Sequence, residues 1–480
     1  MHFVPGARER QKHMDNRVFF TSKGGKLGDV IPYYENGEFR PFFLGMELGW
    51  CNVSTRDHLH FYHEFSTGIH GGTGSVIKVD GLYHMFYCKF SSNPYQRQWV
   101  CHATSTDFEH WEEHPEHTFM PDGDIYEMSD WRDPHVVWNE EEQCWWMLLC
   151  AQKRGKTMRK GCVGLCVSHD LIHWEYREPL YAPATSQSAN ECPDIFKWGD
   201  WWYLTFSVFT DRFQTLYRMS KSMNGPWITP EVDTFDTRCF YAAKHGTDGS
   251  GHFLYGWNPT RDDNTFGFNP QKDYGKDYAS WDWGGTMIVH QLIQNEDGTL
   301  CVKPPEAVDH AYAVLVKPEI MPINGGWQVS ENSAAVNTPY AYASLLMNHI
   351  PAQCKLEMDV RFEETPREFG VALHMDNDFA QGYYLTFEPY RGRVQYKTGL
   401  RMYEDGCKMF PYDVEQERPF KWEAGKNYHL RIFVEDSILL LYVDDTMALG
   451  TRMYNRKNGR FGLFVSEGNA AFENIRLSVL

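Results

Sequence analysis

What this chain lacks narrows it quickly. In 480 residues no long segment shows 3.6-residue apolar periodicity, so the reading is all-β. No apolar run approaches the roughly 20 residues that span a bilayer. The N-terminal Met1-His2-Phe3-Val4-Pro5-Gly6 has no signal-peptide core. Basic clusters are also missing, and the net charge is -18. That argues against a nucleic-acid partner and against attraction to an anionic membrane. The 12 cysteines are scattered, and Cys162 and Cys166 fall on one face of a strand. No second pair and no HxxxH completes a zinc site with them, so no metal and no cofactor is expected. The expected location is a reducing cytoplasm.

Aromatics, by contrast, are abundant at 16%, with 17 Trp and 27 Tyr. Such rings stack on sugar faces, although they also simply favour strands. Short aromatic and β-branched runs recur between Gly, Asn and Asp turns. Five turn-plus-strand units stand out, beginning at Asn36-Gly37, Asp80-Gly81, Glu142-Gln143, Gly199-Asp200 and Ser250-Gly251. Most are followed by Ser or Thr, an Asp, and an aromatic four residues after it: Asp57 with Phe61, Asp107 with Trp111, Asp170 with Trp174. Ser222 with Trp227 is a looser copy. Roughly 45 to 65 residues separate the units, the spacing of propeller blades. The expectation is a five-bladed β-propeller of four-stranded blades over 1–310. Alternating strands over 320–480 predict a C-terminal β-sandwich.

Each blade's innermost strand lines the central channel. Asp29, Ser75, Asp133 and Asp194 stand just ahead of that strand in successive blades, and therefore converge on the axis. Proline after Asp133, in Trp131-Arg132-Asp133-Pro134, suits the first residue of such a strand. Glycoside cleavage needs a proton donor and a carboxylate across the anomeric carbon. Glu191, beside Cys192-Pro193, is the natural donor, Asp29 the nucleophile, and Asp133 with Arg132 the grip on ring hydroxyls. Trp50, Ser75, Cys192 and Trp257 complete the expected substrate contacts. Trp50 and Trp257 are as readily explained as blade packing.

These motifs resemble glycoside hydrolase family 32, the invertase and fructanase family. Trp131-Arg132-Asp133-Pro134 is similar to its Arg-Asp-Pro motif, and Glu191-Cys192 to its Glu-Cys motif. Gly72-Thr73-Gly74-Ser75 and Phe240-Tyr241-Ala242-Ala243-Lys244 resemble the openings of its second and fifth blades. The resemblance covers nearly the whole chain. It implies a retaining β-fructofuranosidase with Asp29 as nucleophile, Asp133 as transition-state stabiliser and Glu191 as acid/base, acting on an oligosaccharide. Departures are equally visible. Gly28-Asp29-Val30-Ile31-Pro32 lacks the Asn and Pro that flank the family's nucleophile. Cys239 replaces the Asp usual before Phe-Tyr-Ala, although Asp236 is close by. His290 stands where Arg is common. These point to a divergent member acting on fructosyl oligosaccharides or another furanoside. Two other readings fit the same scaffold. One is an inverting enzyme of the arabinofuranosidase and xylosidase type. The other is a non-catalytic carbohydrate-binding protein.

Overall fold

The computed structural model describes residues 17–45, 48–91, 97–184, 189–210, 212–261, 277, 280–398 and 413–480. The N-terminal Met1–Gly6 lies outside them. Among the described residues, the longest helix is the five-residue turn Glu306–His310, so none is long and apolar enough to cross a membrane. Two compact units result: Thr21–Asp273 with Ser280–Cys301, and Val302–Leu480 with the described residues of Met1–Phe20 and Tyr274–Ala279.

The first unit is a five-bladed propeller. Its blades open with Gly28–Ile31, Gly72–Val79, Tyr126–Asn139, Glu191–Trp198 and Tyr241–Thr247, each paired antiparallel to its successor in the sheet. Asp80-Gly81 illustrates how sequence makes these hairpins. Both residues have positive φ (50° and 86°) and close a two-residue turn between the paired Val79 and Leu82. The first unit's Asn36-Gly37 also has two positive φ values, but it closes a small side hairpin of Tyr34–Glu35 with Glu38–Phe39. The strand that pairs with Gly28–Ile31 is Phe42–Leu44.

The Ser/Thr-x-Asp signature builds the same turn three times. Thr55, Ser105 and Ser168 accept from the backbone N–H groups of His58, Phe108 and Leu171, three residues that all have positive φ. Asp57, Asp107 and Asp170 each accept from the amides two and three residues on and pair with a histidine ring. The fourth blade departs from the expected four strands. It has three, Glu191–Trp198, Trp201–Val208 and Gln214–Ser220, with only isolated bridges Met219–Ile228 and Leu216–Thr234 at its edge. Pro226 and Pro230 flank Ile228 there and cannot donate to a ladder. A clasp joins first and last blades: Leu27 donates to Gly285 O (3.0 Å) and Gly285 to Leu27 O (2.7 Å).

The second unit is a sandwich made from one continuous thirteen-stranded sheet. Two long strands, Ala334–His349 and Arg460–Val479, carry it across both faces. Leu345, Val371, Leu385, Ile432, Leu441 and Leu463 are wholly buried between the faces.

Candidate active site

All five innermost strands break their ladder at the same level. Shifts fall between Gly28 and Ile31, Gly72 and Gly74, Arg132 and His135, Glu191 and Asp194, and Tyr241 and Lys244. In four blades two residues there oppose one on the partner strand, which is a β-bulge. The first bulged residue is Asp29, Asp133, Cys192 or Ala242, each at φ between 45° and 58°. Bulges turn a side chain out of the pleat, and they concentrate beside active sites. In the second blade Thr73 takes the place, and Gly74 follows because a Cβ there would lie 1.7 Å from Phe86 O.

The bulges gather the site. From the position just before each bulge, Arg132, Glu191 and Tyr241 form a hydrogen-bonded row. Arg132 Nη2 donates to Glu191 Oε1 (2.8 Å), and the Tyr241 hydroxyl donates to Glu191 Oε2 (2.6 Å). Asp133 accepts from the Cys192 amide (2.9 Å), with Arg132 Nε 3.7 Å away. Arg132 is itself steadied by Asp130 and by Gln98 Oε1 (3.3 Å), which also accepts from Trp131 N. Asp29 accepts from the Trp257 indole (3.2 Å). Lys244, buried, donates to Gly74 O (2.7 Å) from the fifth blade to the second.

Burial pushes the Asp29 carboxyl up to about 7, with further upward pressure from Asp133 and then Glu191; the Trp257 hydrogen bond and Lys244 pull the other way. Asp133 rises to about 6, again through burial first, with Arg132 opposing and Glu191 adding. The Tyr241 phenol is pushed up by burial and by Glu191, so it stays a donor. These mutual effects show that the three carboxylates lie within electrostatic reach of one another. Charges this closely coupled titrate as a group. Acids, a guanidinium and an ammonium around one hollow can protonate a leaving oxygen, attack a carbon and hold hydroxyls.

Comparison with known proteins decides the family. Residues 73–304 match the model of the glycosyl hydrolases family 32 N-terminal domain, and residues 298–477 that of the GH32, BT1760-like, C-terminal domain. The chain belongs to glycoside hydrolase family 32. It is a β-fructofuranosidase-type glycoside hydrolase acting on fructosyl linkages. It is 23% identical to sucrose-6-phosphate hydrolase of Escherichia coli, over 89% of this chain and 85% of that one. It is also 23% identical to raffinose invertase of Escherichia coli, over 91% and 89% respectively. Exo-inulinase from Aspergillus awamori superposes over 97% of both chains with a TM-score of 0.70 at 16% identity.

Against the family 32 pattern, the remaining residues separate cleanly. Ser75 accepts from Val136 N (3.0 Å) and so ties the second blade to the third. Trp50 is fully buried against Phe42 and Tyr87, its indole donating to Gly72 O. Asp194 does not join Asp29 and Asp133. The bulge makes Cys192 their counterpart, and Asp194 accepts from the His245 amide (2.5 Å) and faces His135 Nε2 (3.2 Å). Tyr241 and Lys244 were passed over because neither is an acid. The signal available was their place at the start of the fifth blade, where Tyr241 is equivalent to Arg132 and Lys244 to His135. Two departures from the family pattern meet in space: His290 Nε2 lies 3.1 Å from Asp236 Oδ2, both buried. A histidine with a displaced acid thus stands where an arginine and a neighbouring acid are usual.

Proposed function

We propose that this family 32 enzyme cleaves fructosyl oligosaccharides with retention, through an ester on Asp29. Glu191 gives its proton to the glycosidic oxygen as an Asp29 oxygen attacks the anomeric carbon and the carbon–oxygen bond breaks. Glu191, now a carboxylate, then takes a proton from water. That water attacks the ester, releasing the sugar and restoring Asp29. Asp133 grips ring hydroxyls through bonds that strengthen in the transition state, its aim held by Arg132 and the Cys192 amide.

The observation that supports this reading is Asp29 on the bulge of the first blade and Glu191 just before that of the fourth, within electrostatic reach of each other, with Trp257 on the first acid and Arg132 and Tyr241 on the second. Burial raises the Asp29 carboxyl, while the Trp257 hydrogen bond and Lys244 favour its ionised form. Sucrose-type and fructan oligosaccharides are the proposed substrates, supported by the names of the relatives. A cytoplasmic location is proposed on the eleven described cysteines, all free thiols. Rapid NMR on the released sugar tests the mechanism. The first anomer should keep the configuration of the bond cleaved. Its inverse would reject the ester and favour a general base acting on water. Turnover of arabinofuranosides in preference to sucrose, inulin and levan would reject the substrate class.

A further inference from the structure

The outer part of the second blade holds a histidine cluster that the hydrolytic site does not use. Leu82–Phe90 supplies His84, and Gln98–Ser105 supplies His102 and Thr104. After the edge strand Glu112–Glu113 comes His114, and the 3-10 turn Pro115–His117 brings Glu116 and His117 back beside it. The nearest ligand atoms of His114, Glu116 and His117 all lie within 4.8 Å of one another. His114 Nδ1 is 3.5 Å and His117 Nε2 3.7 Å from the same oxygen, Glu116 Oε1. Those gaps are long for hydrogen bonds. They are near the separation of about 3.3–3.5 Å between tetrahedral ligands that each bind one ion at about 2.0–2.2 Å.

The opposite nitrogen of each ring is engaged. His114 Nε2 lies 2.8 Å from Thr104 Oγ1, and His117 Nδ1 lies 2.9 Å from His102 Nδ1. His102 Nε2 continues to His84 Nδ1 at 3.0 Å. Run from His117 to His84, these donations leave His117 Nε2 with a bare lone pair facing Glu116. Run the other way, they put a proton on that nitrogen with no acceptor in range on Glu116. His102 is buried and stacked on Phe86, which fixes its ring between His117 and His84. Metal-bound histidines are oriented in this way by an outer partner on the far nitrogen.

We propose that His114, Glu116 and His117 form a site for one divalent transition-metal ion of the zinc class, with Thr104 and His102 as the groups that orient the two rings. Two imidazoles and a carboxylate suit such an ion, and water would take the fourth position. Its work would be to fasten the 3-10 turn to the blade, far along the sheet from the bulged inner strand.

Calorimetric titration of the full-length, tag-free, chelator-treated protein with zinc chloride tests this, and cobalt chloride adds a visible spectrum. The expected result is one equivalent bound, tetrahedral cobalt bands, and an unfolding temperature raised by several degrees. Glu116→Gln and His117→Ala should weaken binding at least 100-fold, and Thr104→Val about 10–100-fold. Fructosyl hydrolysis should not change in any of them. The Glu116 side chain is 66% exposed, so Glu116→Gln keeps the fold even where His117→Ala does not. No stoichiometric binding by the unaltered protein, or equal affinity in Glu116→Gln, overturns the proposal.

Discussion

The inner strands of the first and third blades put the same residue type on the same bulge and then surround it differently. Asp133 is held from two sides, by the Cys192 amide and by Arg132. Asp29 has one neutral donor, the Trp257 indole. Burial raises both carboxyls; Arg132 and the Cys192 amide oppose that rise at Asp133, and the Trp257 bond and Lys244 oppose it at Asp29. Backbone geometry decides where a carboxylate points, and its neighbours decide how readily it gives up its proton. A group meant to attack carbon gains from sparse pairing, because its lone pairs stay free. A group meant to hold hydroxyls gains from being pinned.

The sharpest break of that contrast is to delete each acid. Asp29→Ala should lower kcat by about 10⁴-fold or more with the fold intact by circular dichroism. Asp133→Ala should lower it by a comparable factor. Removing Arg132 comes next. Arg132→Met leaves Asp133 and Glu191 facing each other without their shared cation, which should cost about 3–5 kcal/mol in denaturant unfolding. Asp29→Asn tests the sparsely paired acid through stability. A carboxyl whose folded pKa is raised contributes stability below its ordinary value and loses it as pH climbs towards 7. The variant should therefore match the parent near pH 4 and exceed it by about 2–4 kcal/mol above pH 7. The smallest effect is expected from Trp257→Phe. Loss of the indole donor should move the acid limb of the pH–rate profile upward by roughly half to one unit, and a limb moved downward would contradict the pairing.

Much of this was legible in the chain. The repeats gave the blades because turn residues with positive φ recur at each hairpin, and Asp133 and Glu191 stand in short motifs whose neighbours are as telling as the acids. Asp29 could be found only by position, since its flanking residues are altered. Asp194 was misaligned with Asp29 and Asp133 because a bulge adds a residue to one strand, and pattern counting carries no mark of that slip. Tyr241 and Lys244 were hidden for a different reason. Their importance comes from reaching Glu191 and Gly74 on other blades, and such contacts have no local signature. Trp50 and Trp257 look alike in sequence. Only their strands' registers show that one packs between Phe42 and Tyr87 while the other reaches Asp29. The His114–His117 cluster carries no zinc signature in the sequence because its two histidines are three apart on a 3-10 turn.

The clasp between Leu27 and Gly285 bears on how the enzyme is made. Leu27, which leads into the strand carrying Asp29, leaves the ribosome early, yet Gly285, its partner in the clasp, is made only with the fifth blade. Four blades can assemble on the nascent chain with Asp133 and Glu191 already in place, while Tyr241, Lys244 and Trp257 are still unmade. Hydrolytic competence thus waits for the fifth blade, and a polypeptide released before Tyr241 should be inert towards sugars however well its earlier sheets have formed.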